Sequence, residues 1–198
     1  MSIRIISHAD LERVVNIHLM AFQGFFLSVL GHRFLVELYS GILEDTSGIF
    51  FLYECDNVVQ GFVAGTDSPA GFYSRLVGQR WWRFALAAIL PVLKRPSIIP
   101  RLLRAFSRGS AEDVHGNCAT LMSIAVAPEA QGQGIGHALV QAFVREAARR
   151  GLAQVNLTTD KLDNDNTNYF YQRLGFMLHQ TFTTPEGREM NEYVIDLM

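Results

Sequence analysis

Three glycines, Gly132, Gly134 and Gly136, follow Gln131 in the run from Ser123 to Leu139, Ser-Ile-Ala-Val-Ala-Pro-Glu-Ala-Gln-Gly-Gln-Gly-Ile-Gly-His-Ala-Leu. Glycine lets backbone come close to a ligand, and the amides that open a helix lack intrahelical acceptors while the helix dipole makes that end positive. A mouth of this kind binds an anion, and a pyrophosphate would fit it. Acids are favoured in a first helical turn, yet there is no Asp or Glu from Ala130 to Arg145, so no side chain there already occupies the positive end. A loop whose glycines merely turn the chain is the competing reading.

The elements that must position this loop are legible on both sides. Ser123 to Ala127 is an apolar run of strand composition, and Pro128 stops it. Beyond the glycines, apolar residues recur at Ile135, Leu139, Ala142, Phe143 and Ala147; Arg149 and Arg150 occupy the last turn and Gly151 follows. That spacing predicts a helix over about Gly134–Arg150 with a glycine C-cap. Two familiar phosphate cradles do not match. Counted from Gly132, a G-x-G-x-x-G fingerprint ends on His137, counted from Gly134 it ends on Leu139, and the Gly-Lys-Ser/Thr of a P-loop occurs nowhere.

The spacing Gln131-x-x-Gly134-x-Gly136 after a strand resembles the acetyl-CoA loop of the GNAT superfamily of N-acetyltransferases. A second block agrees: Asn164-Asp-Asn-Thr-Asn-Tyr-Phe170-Tyr171-Gln-Arg-Leu-Gly175-Phe176 is similar to the family's Asn, Phe-Tyr and Leu-Gly-Phe segment. The resemblance implies that the amides around Gln131, Gly132, Gln133, Gly134, Ile135, Gly136 and His137 hold the CoA pyrophosphate. It further implies that the edge of Ile124, Ala125 and Val126 pairs with the pantetheine arm and that Asn164 bonds that arm. An Asx turn capping the next helix is the other reading of Asn164. Tyr171 falls where the family places its general acid; with a reference pKa of about 10, a tyrosine stays protonated at neutral pH and can donate to a departing thiolate. An aromatic core residue beside Phe170 and Phe176 is the alternative.

The rest of the chain fits that fold. Ile3–Ile6 reads as a strand, Ser7-x-x-Asp10 as a capping box, and Leu11, Val14, Val15, His18, Leu19 and Phe22 as one helix face, with His18 a partly buried structural residue. A loop at Gln23–Ser28 and a helix carrying Leu30 to Leu43 follow, then a hairpin of Gly48–Cys55 and Val58–Gly65 turned at Asp56-Asn57. Ala153–Asp160, Asn164–Leu174, Phe176–Thr183 and Met190–Leu197 read as strand, helix and final hairpin. The expected architecture is one α/β domain over 1–198: a GNAT-like mixed central sheet flanked by helices, with a basic helical insertion at 66–117 between the third and fourth strands.

That insertion reads as two short helices broken by prolines. The net charge of −2 conceals its character: Ser68–Ala111 holds eight basic residues and no acid, leaving nine basic against nineteen acidic residues elsewhere. Its arginines alternate with Trp81, Trp82, Phe84 and leucines, which suits an anionic membrane surface or an anionic acceptor, as well as a helical hairpin that packs on the core. No nucleic-acid signature is present, no metal is expected, and a homodimer is compatible with the sequence. Apolar content of 49%, charge of 18% and two cysteines, with no secretory signal at the first residues, imply a globular cytoplasmic chain, peripheral at the inner membrane face if the basic segment binds lipid.

The expected activity is transfer of acetyl from acetyl-CoA to a primary amine by direct attack. The strand before the loop, Ala119 to Ile124, lacks the carboxylate many relatives use as base, so water past Ser123, or Asp160, is the substitute. The same gap leaves open a CoA-binding regulatory or membrane-associated module without transfer. Phe25, Phe26, His32, Thr158 to Asp160 and Asn191-Glu192-Tyr193 face the region where relatives bind acceptors. The Arg-Trp-Trp-Arg-Phe run and the Leu-Thr-Thr-Asp strand resemble bacterial acetyltransferases of polysaccharide or cell-envelope context, implying an amino sugar or a carrier-linked intermediate as acceptor.

Overall fold

The computed structural model describes residues 2–94, 96 and 116–197. The described residues form seven strands: β1 (Ser2–Ile5), β2 (Gly48–Cys55), β3 (Val58–Thr66), β4 (Cys118–Val126), β5 (Gln154–Asp160), β6 (Met177–Thr183) and β7 (Glu189–Asp196). They form one sheet in the order β1-β2-β3-β4-β5-β7-β6. Only β4 and β5 run parallel, as a β-helix-β crossover requires. The helices are α1 (Leu11–Ala21), α2 (Phe26–Leu30), α3 (His32–Glu44), α4 (Phe72–Lys94), α5 (Ile135–Arg149) and α6 (Asp165–Arg173).

Strand alternation divides the helices between the two faces. A Cβ built on Gly61 of β3 would lie 3.1 Å from Leu139 and 3.3 Å from Ile135, so that face carries α5. Asn168 of α6 accepts hydrogen bonds from Asn191 and Tyr193 of β7 at 3.0 Å each, which puts α6 on the α5 side. Tyr39 of α3 packs on Phe62 of β3 with ring centroids 5.2 Å apart, so α1 and α3 cover the opposite face of β3 and β4.

Most expected elements are present, with three local corrections. The helix anticipated from Leu30 is two helices, broken at Gly31 in a conformation (φ 84°, ψ 176°) closed to residues with a Cβ, and α2 begins within the stretch read as loop. The insertion contributes one helix whose break falls at Arg80 (φ −132°, ψ 18°), not at a proline. Pro91 lies inside the helix without an N–H of its own, so the Ala87 carbonyl lacks its partner there while the helix continues to Lys94. The second helix expected near 97–106 lies outside the described residues. Asp56 and Asn57 both adopt positive φ (51° and 63°), as a two-residue turn between paired Cys55 and Val58 demands.

α4 packs on α3 through Phe72, Leu76, Phe84 and Ala88, with the Phe84 and Phe34 rings 5.1 Å apart. Its arginines are not free. Arg80 pairs with Glu37 and Glu44, Arg83 lies 3.7 Å from Glu37 and Arg75 lies 3.9 Å from Asp45. Part of the basic charge of the insertion is thus spent on the acidic side of α3.

At the far end of the sheet Arg150 ties three elements together: it reaches Glu146 at 2.9 Å, Asp67 at 2.6 Å and the Gly48 carbonyl at 2.8 Å. Hydrogen bonds from Arg149 and Arg150 hold the Glu146 carboxyl down at about 2. A group depressed in the folded state stabilises above its unfolded pKa and loses that contribution as pH falls through the folded value. Unfolding monitored between pH 5 and pH 2 should therefore show stability declining as Glu146 protonates. Glu146→Gln should cost about 1–2 kcal/mol at pH 7 and flatten that decline; equal pH slopes in both proteins would exclude Glu146 as a contributor.

Candidate active site

The glycine loop meets the requirements of an anion mouth. Gly132 (φ 77°) and Gly134 (φ 79°) are left-handed, and a Cβ on either would point into open space, so backbone conformation and not crowding demands glycine there. Gly134 is the N-cap of α5 and makes no side-chain cap. The first intrahelical bond runs from Ala138 N–H to Gly134 C=O at 3.1 Å, so the amides of Ile135, Gly136 and His137 precede the hydrogen-bonded ladder. Ile135 is buried and anchors the turn, Gly136 lies 3.4 Å (from a constructed Cβ) from the Phe170 ring, and Gln131, Gln133 and His137 are exposed around the opening. His137 Nε2 lies 2.8 Å from Gln141 Nε2, one helical turn on.

This mouth stands at the wide end of a split in the sheet. β4 and β5 pair only over Cys118–Thr120 and Gln154–Asn156; past Thr120 no pairing joins them. On its other edge β4 skips Met122, since Ala64 pairs with Ser123 while Gly65 pairs with Leu121. A bulge of this kind bends and twists its strand, which accounts for β4 leaving β5. Ser123, Ile124, Ala125 and Val126 pair with β3 and leave their other edge facing the gap, where an extended chain bearing amides could add on as a strand does. The Gln131 side chain turns back to the Val126 carbonyl at 3.5 Å, at the join between edge and mouth.

α6 closes the gap from one face. Asn164 precedes its first turn, but no Asx cap forms: Nδ2 donates backwards to Thr159 Oγ1 at 2.8 Å and to the Asp160 carbonyl at 3.0 Å. Both amide hydrogens are used, so Asn164 retains only its carbonyl oxygen for a ligand. Tyr171 is 5% exposed, its ring between Phe170, Phe176 and Tyr193 at centroid distances of 5.1, 5.8 and 6.3 Å. Burial pushes its hydroxyl up to about 12, and that hydroxyl has no hydrogen-bond partner among the described residues. Phe170, the next residue, is the one that touches Gly136.

The opposite face of the sheet carries polar groups that sequence reasoning did not join. The Tyr39 hydroxyl lies 2.7 Å from His18 Nδ1 and 3.0 Å from Ser123 Oγ, linking α1, α3 and β4 beside the gap. Burial lowers His18 to about 4, so the imidazole is neutral at physiological pH. Asp160, considered as a base, is instead held bidentate by Arg188, with bonds of 2.7 and 2.6 Å from Nη2. Strand alternation also separates Asn191, Glu192 and Tyr193: the first and third bind Asn168 under α6, and only Glu192 faces away from it. His32 is paired with Glu12 at 2.8 Å. A tyrosine and a histidine on two apolar helix stripes were the available signal, because buried hydroxyl and imidazole groups must find partners.

The mixed sheet is thus split at its parallel pair, with a glycine-hinged helix mouth at the opening. The sequence profile of the acetyltransferase (GNAT) family matches residues 11–176, and the chain belongs to that family, which uses acetyl-CoA as co-substrate. It is 42% identical over 62 residues to GCN5-related N-acetyltransferase 2, chloroplastic, of Arabidopsis thaliana; the match spans 31% of this chain and 22% of that protein. Ard1 from Thermoplasma volcanium superposes with a TM-score of 0.64 at 18% identity, over 100% of this chain and 97% of the other. The ribosomal-protein-S18-alanine N-acetyltransferase from Escherichia coli gives 0.62 at 17% identity, over 99% and 93%. These two likenesses show the fold.

Removing the central hydroxyl in Tyr39→Phe leaves His18 and Ser123 without their shared partner in a buried site. It should destabilise the protein by about 1–3 kcal/mol in urea melts, and an unchanged midpoint would show that the three groups are not coupled to folding.

Proposed function

We propose that this protein is an acetyl-CoA-dependent N-acetyltransferase acting on a primary amine. The observation that carries the reading is the glycine mouth at the wide end of the β4/β5 split. Exposed αL glycines, the leading amides of α5 and the absence of an acid in its first turn suit a diphosphate, and the free β4 edge from Ile124 to Val126 suits the amide-bearing arm. Asn164 would receive an N–H of that arm at its carbonyl oxygen. When bound, acetyl-CoA supplies a thioester whose C–S bond breaks as the amine nitrogen bonds the carbonyl carbon.

Tyr171 is the proposed general acid, donating its phenolic proton to the departing sulfur, while the proton shed by the attacking nitrogen passes to water beside Ser123 and solvent returns a proton to Tyr171. Its high pKa supports this, since it remains protonated across the working pH range. Neutral His18 and Tyr39 hold the Ser123 hydroxyl beside the gap and thereby shape the acceptor side. The acceptor fits a small or carrier-linked amine, an amino sugar among them. Tyr171→Phe should lower kcat by about 10²–10⁴-fold with coenzyme A affinity nearly unchanged. Normal turnover by this variant would remove Tyr171 from the chemistry.

A second reading concerns location. No described helix is long and apolar enough to cross a membrane, but the face of α4 turned away from α3 carries Trp82, Leu86, Ile89, Leu90 and Leu93, all exposed, with Leu93 at 74%. At helical spacing these form one apolar stripe opposite the packed Phe84 and Ala88, and a helix apolar on both sides calls for cover on both. The absence of any acid between Ser68 and Ala111 favours an anionic lipid surface as that cover. The alternative of a membrane-bound module without transfer would share this surface. Flotation with vesicles containing 30% phosphatidylglycerol should recover the protein, and a Trp82→Glu, Leu86→Glu double variant should stay in solution; equal recovery of both would exclude α4 as the docking face.

A further inference from the structure

Glu192 is a carboxylate buried to 8% exposure on β7, on the sheet face opposite α6. Its Oε2 accepts from Gln180 Nε2 at 2.6 Å and its Oε1 from Asn156 Nδ2 at 3.2 Å. The orientation of the Asn156 amide is fixed at its other end, where Oδ1 accepts from Thr120 Oγ1 at 2.6 Å. No lysine, arginine or histidine pairs with Glu192 among the described residues, whereas the neighbouring acids Asp160 and Glu189 hold Arg188 and Lys161. A buried anion satisfied only by neutral amides is costly to keep, and an apolar residue of similar size would serve the fold better.

Its place in the fold gives a reason for that cost. Thr120 and Asn156 are the last residues at which β4 and β5 pair, so the line Thr120–Asn156–Glu192 crosses the apex of the split. On the same face of β4 stands Ser123, held by Tyr39. On β5 the next side chain toward the opening is Thr158, which is exposed and lies opposite Glu192 in register. Farther out, Arg188, bound to Asp160, lies 5.9 Å from the ring centroid of Phe25 on the α1–α2 loop, so that loop reaches across to the β6–β7 hairpin. The α1 side of the split thus gathers hydroxyls and amides around one carboxylate that no cation pairs with among the described residues.

We propose that Glu192 is the counter-charge for the acceptor, and that the acceptor approaches this face of the split as a small aliphatic ammonium whose hydroxyls can meet the Thr120, Thr158 and Asn156 groups. This rests on the acetyltransferase reading for what happens to the amine next, but the binding itself does not need the cofactor. Glu192 selects the substrate by charge; it excludes neutral isosteres and weakly basic aryl amines, which leave the carboxylate unpaired.

Calorimetry on the full chain, with and without coenzyme A, tests it with charge-matched pairs: ethanolamine against ethylene glycol, and glucosamine against glucose. The wild type should bind at least one of the two amines and neither neutral partner, and Glu192→Gln, which keeps the size and hydrogen-bonding reach, should weaken that amine at least tenfold while its Tm and coenzyme A affinity stay near wild type. Glu192→Asp should recover part of the loss. Failure of the wild type to bind either amine, equal amine affinity in the Glu192→Gln protein, or equal binding of the neutral partners would each overturn the assignment. A protein that binds the amine through Glu192 but gives no heat with coenzyme A would instead refute the acetyltransferase reading.

Discussion

Everything in this fold depends on where two parallel strands stop pairing. β4 and β5 share three register positions and then part, and the unpaired edge that results would be a liability in an ordinary sheet. Here it is flanked on one side by the α5 mouth and α6, on the other by α1 and α3. The bulge opposite Ala64 and Gly65 drives the parting, so a one-residue irregularity in an otherwise regular ladder decides that the domain has a cleft. The polar side chains that matter most, Ser123, Thr120, Asn156 and Glu192, all lie along that line of separation.

The two faces of the split have different chemistry because the strand period is two. Toward α5 and α6 lie glycines, aromatic rings and Tyr171, a setting that suits an extended arm with an anionic end. Toward α1 lie hydroxyls, amides and a carboxylate, a setting that suits a polar, cationic partner. The two substrates of a transfer reaction would thus approach one gap from opposite sides of the same strand. Neutral His18 and buried Tyr39 add rigidity at the point where the sides meet.

Much of this was legible in the residues. The loop from Gln131 to Gly136, the helix behind it and the Asn164–Phe176 block are local patterns in which spacing and backbone demand coincide, and both helices form where the spacing put them. What the sequence could not order was long-range. Neighbouring residues Asn191, Glu192 and Tyr193 looked equivalent until pairing with β5 and β6 assigned their faces. Tyr39 was one aromatic on an apolar stripe until Ser123, 84 positions away, arrived beside it. Asp160 lost its availability to Arg188 in the turn between β6 and β7. In α4, the prolines were the visible breakers, yet the helix runs through Pro91 and its kink falls at Arg80.

The site of attachment of α4 has one more implication. The chain leaves β3 at Thr66 and re-enters β4 at Cys118, and Thr66 and Thr120 are direct partners across the ladder. The two points of departure are therefore held side by side whatever is spliced between them, and added length there costs little entropy once they are joined. α4 is a cassette in this sense, free to be lengthened or exchanged without disturbing strand register. What ties the described part of it to the domain is its packing over Phe34 and its ion pairs with Glu37 and Glu44 of α3.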